Sequence, residues 1–198
     1  VRVLAIDPSS TCTGFAVLTG LGPADLVEVG LIRPSLSKAA QAAAEPGEVV
    51  RAWNSRKELT ALRRVLSVVR DVEEVVAEVA AGGELSVVVE IPSGLTGTGA
   101  KKGARGSLTT YGLAAGMVYQ AARAALPGQV FGVTERQWTA GAGSKEKRAR
   151  SVVGLYAGRY RVADDEGLDG ADAIGLGRWW VRGVMEGRVI APAGFRAR

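Results

Sequence analysis

Short apolar runs that end on a charged or turn-forming residue alternate along this chain with longer stretches of helical spacing. Val1 to Ile6 is apolar except for Arg2 and runs into Asp7 and the turn Pro8-Ser9-Ser10. A run this short, bounded by turn residues, predicts a buried strand. Gly14 to Leu18 predicts a second strand. Gly20 to Pro23 supplies a turn, and Leu26 to Ile32 predicts a third strand, completing an antiparallel meander. Residues 35–52 mix Ser, Ala, Glu, Pro and Gly and read as a surface connection, an insertion extending to about residue 57.

From Ser55 the period changes. Ser55 and Glu58 have capping-box spacing, and Leu59, Leu62, Leu66, Val69, Val72, Val76 and Val79 recur every three or four residues until Gly82-Gly83. Arg63, Arg70, Glu73, Glu74 and Glu78 fall mainly on the opposite face. Leu85 to Glu90, "LSVVVE", predicts a fourth strand. Strand, long helix, strand is the order of an α/β crossover with parallel pairing. Residues 94–107, "GLTGTGAKKGARGS", have no periodicity and form a basic, glycine-rich loop. Leu108 to Leu126 predicts a helix rich in small residues, Val130 to Val133 a fifth strand, and Ser144 the cap of a helix running to about Tyr156. A last helix is expected from about Leu168 to Met185. Gly170, Gly175 and Gly177 lower its intrinsic stability, so packing must hold it. With no internal repeat, the chain reads as one domain over residues 1–187 with a tail at 188–198.

Composition narrows the chemistry. Hydrophobic residues make up 47% of 198, enough for one sizeable core. Lys and Arg number 25 against 20 Asp and Glu, a net charge of +5 that favours polyanionic partners. There is one cysteine and no histidine. An internal disulfide, His/Cys zinc sites and Ser-His-Asp triads are thereby excluded. Catalysis must rest on carboxylates, lysines, hydroxyls or a hard metal ion. No signal peptide and no bilayer-length apolar run is apparent, so a cytoplasmic protein without membrane contact is expected.

The acids then stand out. Asp7 and Glu90 both end strands, where sites form in open α/β sheets. Asp169 and Asp172 are three apart near a helix start and share a face. Singly, Asp7 before Pro8 reads equally as a turn residue, Glu90 as a rim charge and Asp169 as an N-cap. Together, converging carboxylates without histidine require cations, and Mg²⁺ or Mn²⁺ suits oxygen ligands. Asp164, Asp165 and Glu166 are further acids nearby and read as a loop cluster. Trp179 and Trp180, beside Arg178 and Arg182, read as one core tryptophan and one partly covered.

In order along the chain, "LAIDPSSTCTGFAV", "VVVEIP", "GAGSKEKRARSVV" and "DGADAIGLG" resemble the RuvC-type Holliday junction resolvases of the ribonuclease H-like superfamily. Their counterparts there are "GIDPGS…TG", "AIE", "GSAEK" and "DAADALAIA". The resemblance implies a ribonuclease H-like α/β fold: a five-stranded mixed sheet, antiparallel meander plus parallel strands, flanked by helices. It implies that Asp7, Glu90, Asp169 and Asp172 are catalytic metal ligands, with Asp7 bridging two ions. Lys147 falls on the family's active-site lysine, though it reads equally as a solvated helix residue. Lys101, Lys102, Arg105, Lys145 and Arg148 are candidate DNA contacts. A metal-dependent endonuclease is implied that nicks four-way junctions symmetrically and leaves 5′-phosphate and 3′-hydroxyl ends. It would act as a homodimer on branched DNA, with a branch-migration helicase as a further partner. After Glu90, family members usually carry an aromatic or bulky wedge, whereas this chain has the longer, more basic "IPSGLTGTGAKKGARGS". Three other readings stay open: a related nuclease acting on flaps, forks or RNA; an actin-like or sugar-kinase-type ATP-binding fold, with "DPSSTCTG" as phosphate turn; and a DNA-binding module whose acids only cap helices.

Overall fold

A computed structural model of the chain describes residues 2–34, 56–92, 105–161, 163, 165 and 167–189, with side chains over these ranges except at 56–61 and 105–109. The 35–52 connection, the Ser55–Glu58 cap, the side chains of Lys101, Lys102 and Arg105, Asp164 and Glu166, and most of the C-terminal tail lie outside the described residues.

The continuous apolar run of β1 (Arg2–Asp7) has a simple cause: both faces of the sheet are covered. Leu4 and Ile6 point to one layer, Val3 and Ala5 to the other. Strand β1 pairs antiparallel with β2 (Thr13–Leu18), which pairs antiparallel with β3 (Leu26–Ile32) after a 3₁₀ turn at Pro23–Asp25. Helix α1 (Arg56–Ala81) then crosses over to β4 (Leu85–Ile91), which lies parallel to β1. Helix α2 (Arg105–Ala125) leads to β5 (Val130–Thr134), parallel to β4. The sheet order is β3-β2-β1-β4-β5, the expected meander joined to parallel strands. After β5 come the short α3 (Glu135–Trp138), which the sequence pattern did not suggest, then α4 (Lys145–Leu155) and α5 (Asp169–Met185). No helix of the described residues is long and apolar enough to cross a membrane.

Helices α1 and α2 cover one face of the sheet. The buried stripe of α1 passes through Val65, Val68, Val72, Val76 and Val79, while Leu66 is exposed and Arg63 is buried. The expected face is therefore right only in its C-terminal half. Two overlapping stripes satisfy the helical spacing, and the β-branched one fits the pleated sheet. Helices α4 and α5 cover the other face, with α5 lying directly on β1 and β2.

The α5 glycines explain how it gets so close. A Cβ at Gly177 would come within 2.4 Å of Leu18 Cδ1 and 3.1 Å of Ala5 Cβ. On the strand side, a Cβ at Gly14 would meet the Asp169 carbonyl oxygen at 2.1 Å. Thr13 to Leu18 can thus seat the first turn of α5 against the sheet, and the packing expected to offset the helix glycines is present. We expect Gly177→Val to cost about 1–3 kcal/mol through overpacking. Gly154→Ala in α4, where a Cβ meets nothing within 4 Å, should stabilise by roughly 0.5–1 kcal/mol. Urea unfolding midpoints of the two variants check both signs.

Candidate active site

Strand pleat puts the first two acids together. Asp7 follows Val3 and Ala5 in alternation, and Glu90 follows Ser86 and Val88, so both project to the α5 face. The last parallel β1–β4 pair is Ile6 with Val89, which places Asp7 and Glu90 one step further on, side by side at the same sheet edge. Helix α5 begins over this edge and supplies Asp169 as its first residue and Asp172 a turn later. Asp7, Glu90 and Asp172 are buried, at 8%, 6% and 4% exposure, which removes the rim-charge reading of Glu90. Leu168, not Asp169, occupies the N-cap position, in the left-handed region at φ 59°.

Each acid is held by side chains from other elements. Glu90 accepts a hydrogen bond from the Tyr111 hydroxyl at 2.5 Å on Oε1 and from Trp138 Nε1 at 2.6 Å on Oε2. Asp172 accepts a two-pronged bond from Arg148, with Nε at 2.9 Å and Nη2 at 2.8 Å. The Arg148 guanidinium lies 5.0 Å from the Trp138 ring centroid. Trp138 and Arg148 thus bridge Glu90 and Asp172. Lys145 Nζ stands among the acids, 2.8 Å from Asp169, 3.4 Å from Asp172 and 3.9 Å from Asp7.

Protonation follows from this crowding. Burial pushes the Asp7 carboxyl well above the usual carboxylate range; Glu90, Asp172 and Asp169 add to the rise, and Lys145 opposes it. Burial also raises Glu90, against the hydrogen bonds from Tyr111 and Trp138. For Lys145, burial works against the charged form. The bond to Asp169 and the charges of Asp7 and Asp172 outweigh it, so the ammonium is held more firmly than in water.

Other candidates separate. Lys147 is exposed on α4 and makes no ion pair with the acids among the described residues. Residues two apart on a helix point to nearly opposite sides, so Lys145 and Lys147 cannot both face the cluster. Asp165 is buried and faces the helix: it accepts from the Asp169 amide at 2.9 Å, the Ala171 amide at 3.0 Å and the Tyr160 hydroxyl at 2.6 Å. It satisfies amides that α5 would otherwise leave unpaired. The Cys12 thiol, near Asp169, is pushed up to about 11, first by burial and then by that carboxylate. It is therefore a poor nucleophile at neutral pH. Trp180 is buried and Trp179 half-buried, as expected of that pair. Tyr111 and Trp138 were not legible in advance, because their contacts to Glu90 span 21 and 48 residues.

The fold has relatives among solved structures. Thermus thermophilus RuvC in complex with a Holliday junction substrate superposes with a TM-score of 0.56 at 20% identity, over 94% of this chain and 96% of that one. A second T. thermophilus RuvC structure gives 0.56 at 22% identity, over 94% and 97%. The fold is that of RuvC. No protein-family model and no curated protein sequence matches the chain.

On this RuvC fold the donor set suits a hard divalent cation: it consists of carboxylates alone. Among the described residues each Glu90 oxygen accepts one hydrogen bond, from Tyr111 on Oε1 and from Trp138 on Oε2, which leaves lone pairs for a ligand. Among the described residues no three acids enclose an ion as they stand, and the positive charge between them is the Lys145 ammonium. Asp7, Glu90, Asp169 and Asp172 are the residues that could hold such an ion, with Tyr111, Trp138 and Arg148 bonded to or beside two of them.

Two outcomes follow. Because folding raises the Asp7 pKa, its ionised form opposes folding, and this opposition is full above the folded-state value and vanishes as pH falls below the unfolded value of about 3.9. Asp7→Asn should therefore raise the Tm of the metal-free protein at pH 8, with the gain shrinking on acidification. An unchanged or lowered Tm in chelator at pH 8 contradicts the assignment of Asp7 as a strained carboxylate. Trp138→Phe keeps a ring beside Arg148 but removes the donor to Glu90. It should weaken Mn²⁺ binding about 10-fold or more by calorimetry, with little loss of far-UV dichroism.

Proposed function

We propose that the chain is a metal-dependent, structure-specific endodeoxyribonuclease that resolves four-way DNA junctions by paired nicks, leaving 5′-phosphate and 3′-hydroxyl ends. The observation that carries this reading is the meeting of Asp7, Glu90, Asp169 and Asp172, drawn from β1, β4 and α5, at one edge of a sheet whose fold is that of a RuvC solved on a Holliday junction.

In this reading the carboxylates hold Mg²⁺ or Mn²⁺, whose chemistry when bound is Lewis-acid activation of water and relief of charge on the leaving 3′ oxygen. The protein supplies the rest. Burial of Asp7 and Glu90 lowers the local dielectric and so strengthens their electrostatic interactions. Tyr111 and Trp138 fix both oxygens of Glu90, and Arg148 fixes both of Asp172, so the ligands need little reordering. In place of Lys147 we take Lys145 as the cation that would meet charge developing on the phosphate; its ammonium lying among the acids supports this. With histidine absent from the chain, no imidazole general base is available.

Paired nicks call for two sites, and we take the working unit to be a homodimer whose two-fold axis matches that of the junction. The outward face of α2 suits a second copy: Gly112 and Gly116 leave a shallow groove beside Val69, Leu113 and Met117. Residues 1–187 would form the nuclease domain.

The deciding experiment supplies labelled four-way junction, flap, fork and RNA–DNA hybrid with Mg²⁺. Symmetric cutting of the junction in preference to the others is expected. Asp7→Asn should cut on the order of 10²–10³-fold more slowly while still binding the junction. Wild-type rates from that variant, or preference for another substrate, would overturn the proposal.

A further inference from the structure

Between the α3–α4 loop and α5 runs an open groove of about 560 Å³. Its walls carry Lys147, Arg148, Arg178, Arg182 and Arg188 and no carboxylate. These charges are not equivalent. Arg148 is matched by Asp172, and Arg188 by Glu186. Arg178 donates to the Leu21 carbonyl and to the Tyr156 hydroxyl, both at 2.7 Å, and its guanidinium lies 5.5 Å from the Tyr156 ring centroid. Both acceptors are neutral, so the Arg178 charge is held in place without being cancelled. Lys147 and Arg182 are exposed and make no ion pair among the described residues.

Three uncompensated cations therefore share one groove, and Arg178 and Arg182 are four apart on α5, on one face. The groove adjoins the carboxylate cluster through two shared side chains: Trp138 and Arg148 line it and also hold Glu90 and Asp172. Several cations in one groove, two of them a turn apart on α5, match a ligand with repeated negative charge. Guanidinium forks also suit phosphate oxygens geometrically.

We propose that this groove seats the phosphodiester backbone of the DNA segment flanking the scissile phosphate. This rests on the nuclease reading above and adds to it a strand path along α5 and a role for Lys147, Arg178 and Arg182. These cations neutralise phosphates outside the reacting centre and so fix the register in which one phosphate meets the acids.

The test measures binding of a labelled four-way junction by the full chain in EDTA, where nothing is cut, over a series of salt concentrations. Wild type is compared with Arg182→Gln, Arg182→Glu and, as control, Arg123→Gln, an exposed change on α2 across the sheet. Each lost phosphate contact lowers the slope of log K against log salt by about 0.7–0.9. Arg182→Gln should show that change, Arg182→Glu should bind more weakly still, and Arg123→Gln should match wild type. Equal slopes and affinities for the Arg182 variants and wild type overturn the groove. Wild-type cutting in Mg²⁺ is followed in parallel. Cutting with unaltered slopes overturns the groove alone. Altered slopes without cutting support the groove as a DNA surface and overturn the nuclease reading. A wild type that binds no DNA overturns both.

Discussion

Like charges gathered out of water are the constraint around which this molecule is organised. Asp7 and Glu90 are forced together by pleat and register, and α5 adds Asp169 and Asp172 from above. Buried carboxylates in contact cannot all remain ionised without cations. The chain answers with Lys145 among the acids and Arg148 clamped on Asp172. Even so, Asp7 remains hard to ionise. An arrangement that strains its own fold is a familiar mark of a site kept for chemistry. The same logic accounts for the close approach of α5. Only glycines at 14 and 177 let its first turn and its middle lie directly on β2 and β1, and without that approach Asp169 and Asp172 would stand off from Asp7.

Much of the fold was legible because its signals are local. All five strands lie within a residue or so of the apolar runs that predicted them; β1, β2 and β4 are buried almost throughout and so read as short continuous blocks, while the edge strands β3 and β5 are more exposed. The four acids were legible for a related reason: two end such blocks, and two share one helix face. Less readable was whatever depends on the rotation of a helix or on distant partners. The buried stripe of α1 drifts from Leu66 to Val65 and Val68, because a 26-residue helix offers two stripes and only the sheet chooses between them. Lys145 and Lys147 look interchangeable in "SKEKR", and only the placement of α4 decides which ammonium meets the acids. Tyr111, Trp138 and Asp165 carry no motif at all. Their importance arises from contacts that close only once the chain has folded.

The bracing around the acids shows how a short chain builds precision. Trp138 belongs to the core beneath α5, donates to Glu90 and lies beside the Arg148 guanidinium, so one residue links packing, orientation and charge. Arg148 also donates to the Gly143 carbonyl at 3.1 Å, tying the turn that precedes Lys145 to the same bracket. Trp138, Arg148 and the Gly143 turn are thus joined in one bracket that contacts both Glu90 and Asp172. Asp165 performs the matching task for α5, fixing its first turn through the amides of Asp169 and Ala171.

That last detail bears on the choice between phosphate-transfer folds. An ATP-binding relative would need free amides to cradle phosphate, either in the turn after β1 or at a helix N-terminus. Here several of these amides are engaged internally. The Ser9 amide donates to Thr13 Oγ1 at 3.0 Å and the Thr11 amide to Ser9 Oγ at 3.3 Å. At α5, Asp165 takes the Asp169 and Ala171 amides, and the Asp172 amide bonds the Leu168 carbonyl at 3.1 Å. A phosphate arriving at this edge would find carboxylates and side-chain cations in place of a backbone cradle. Such a surface repels a free nucleotide unless metal intervenes, yet it suits one phosphodiester of a long strand whose neighbouring phosphates are neutralised elsewhere. The engaged amides and the cations of the neighbouring groove are what the proposed preference for a polymer over a mononucleotide rests on.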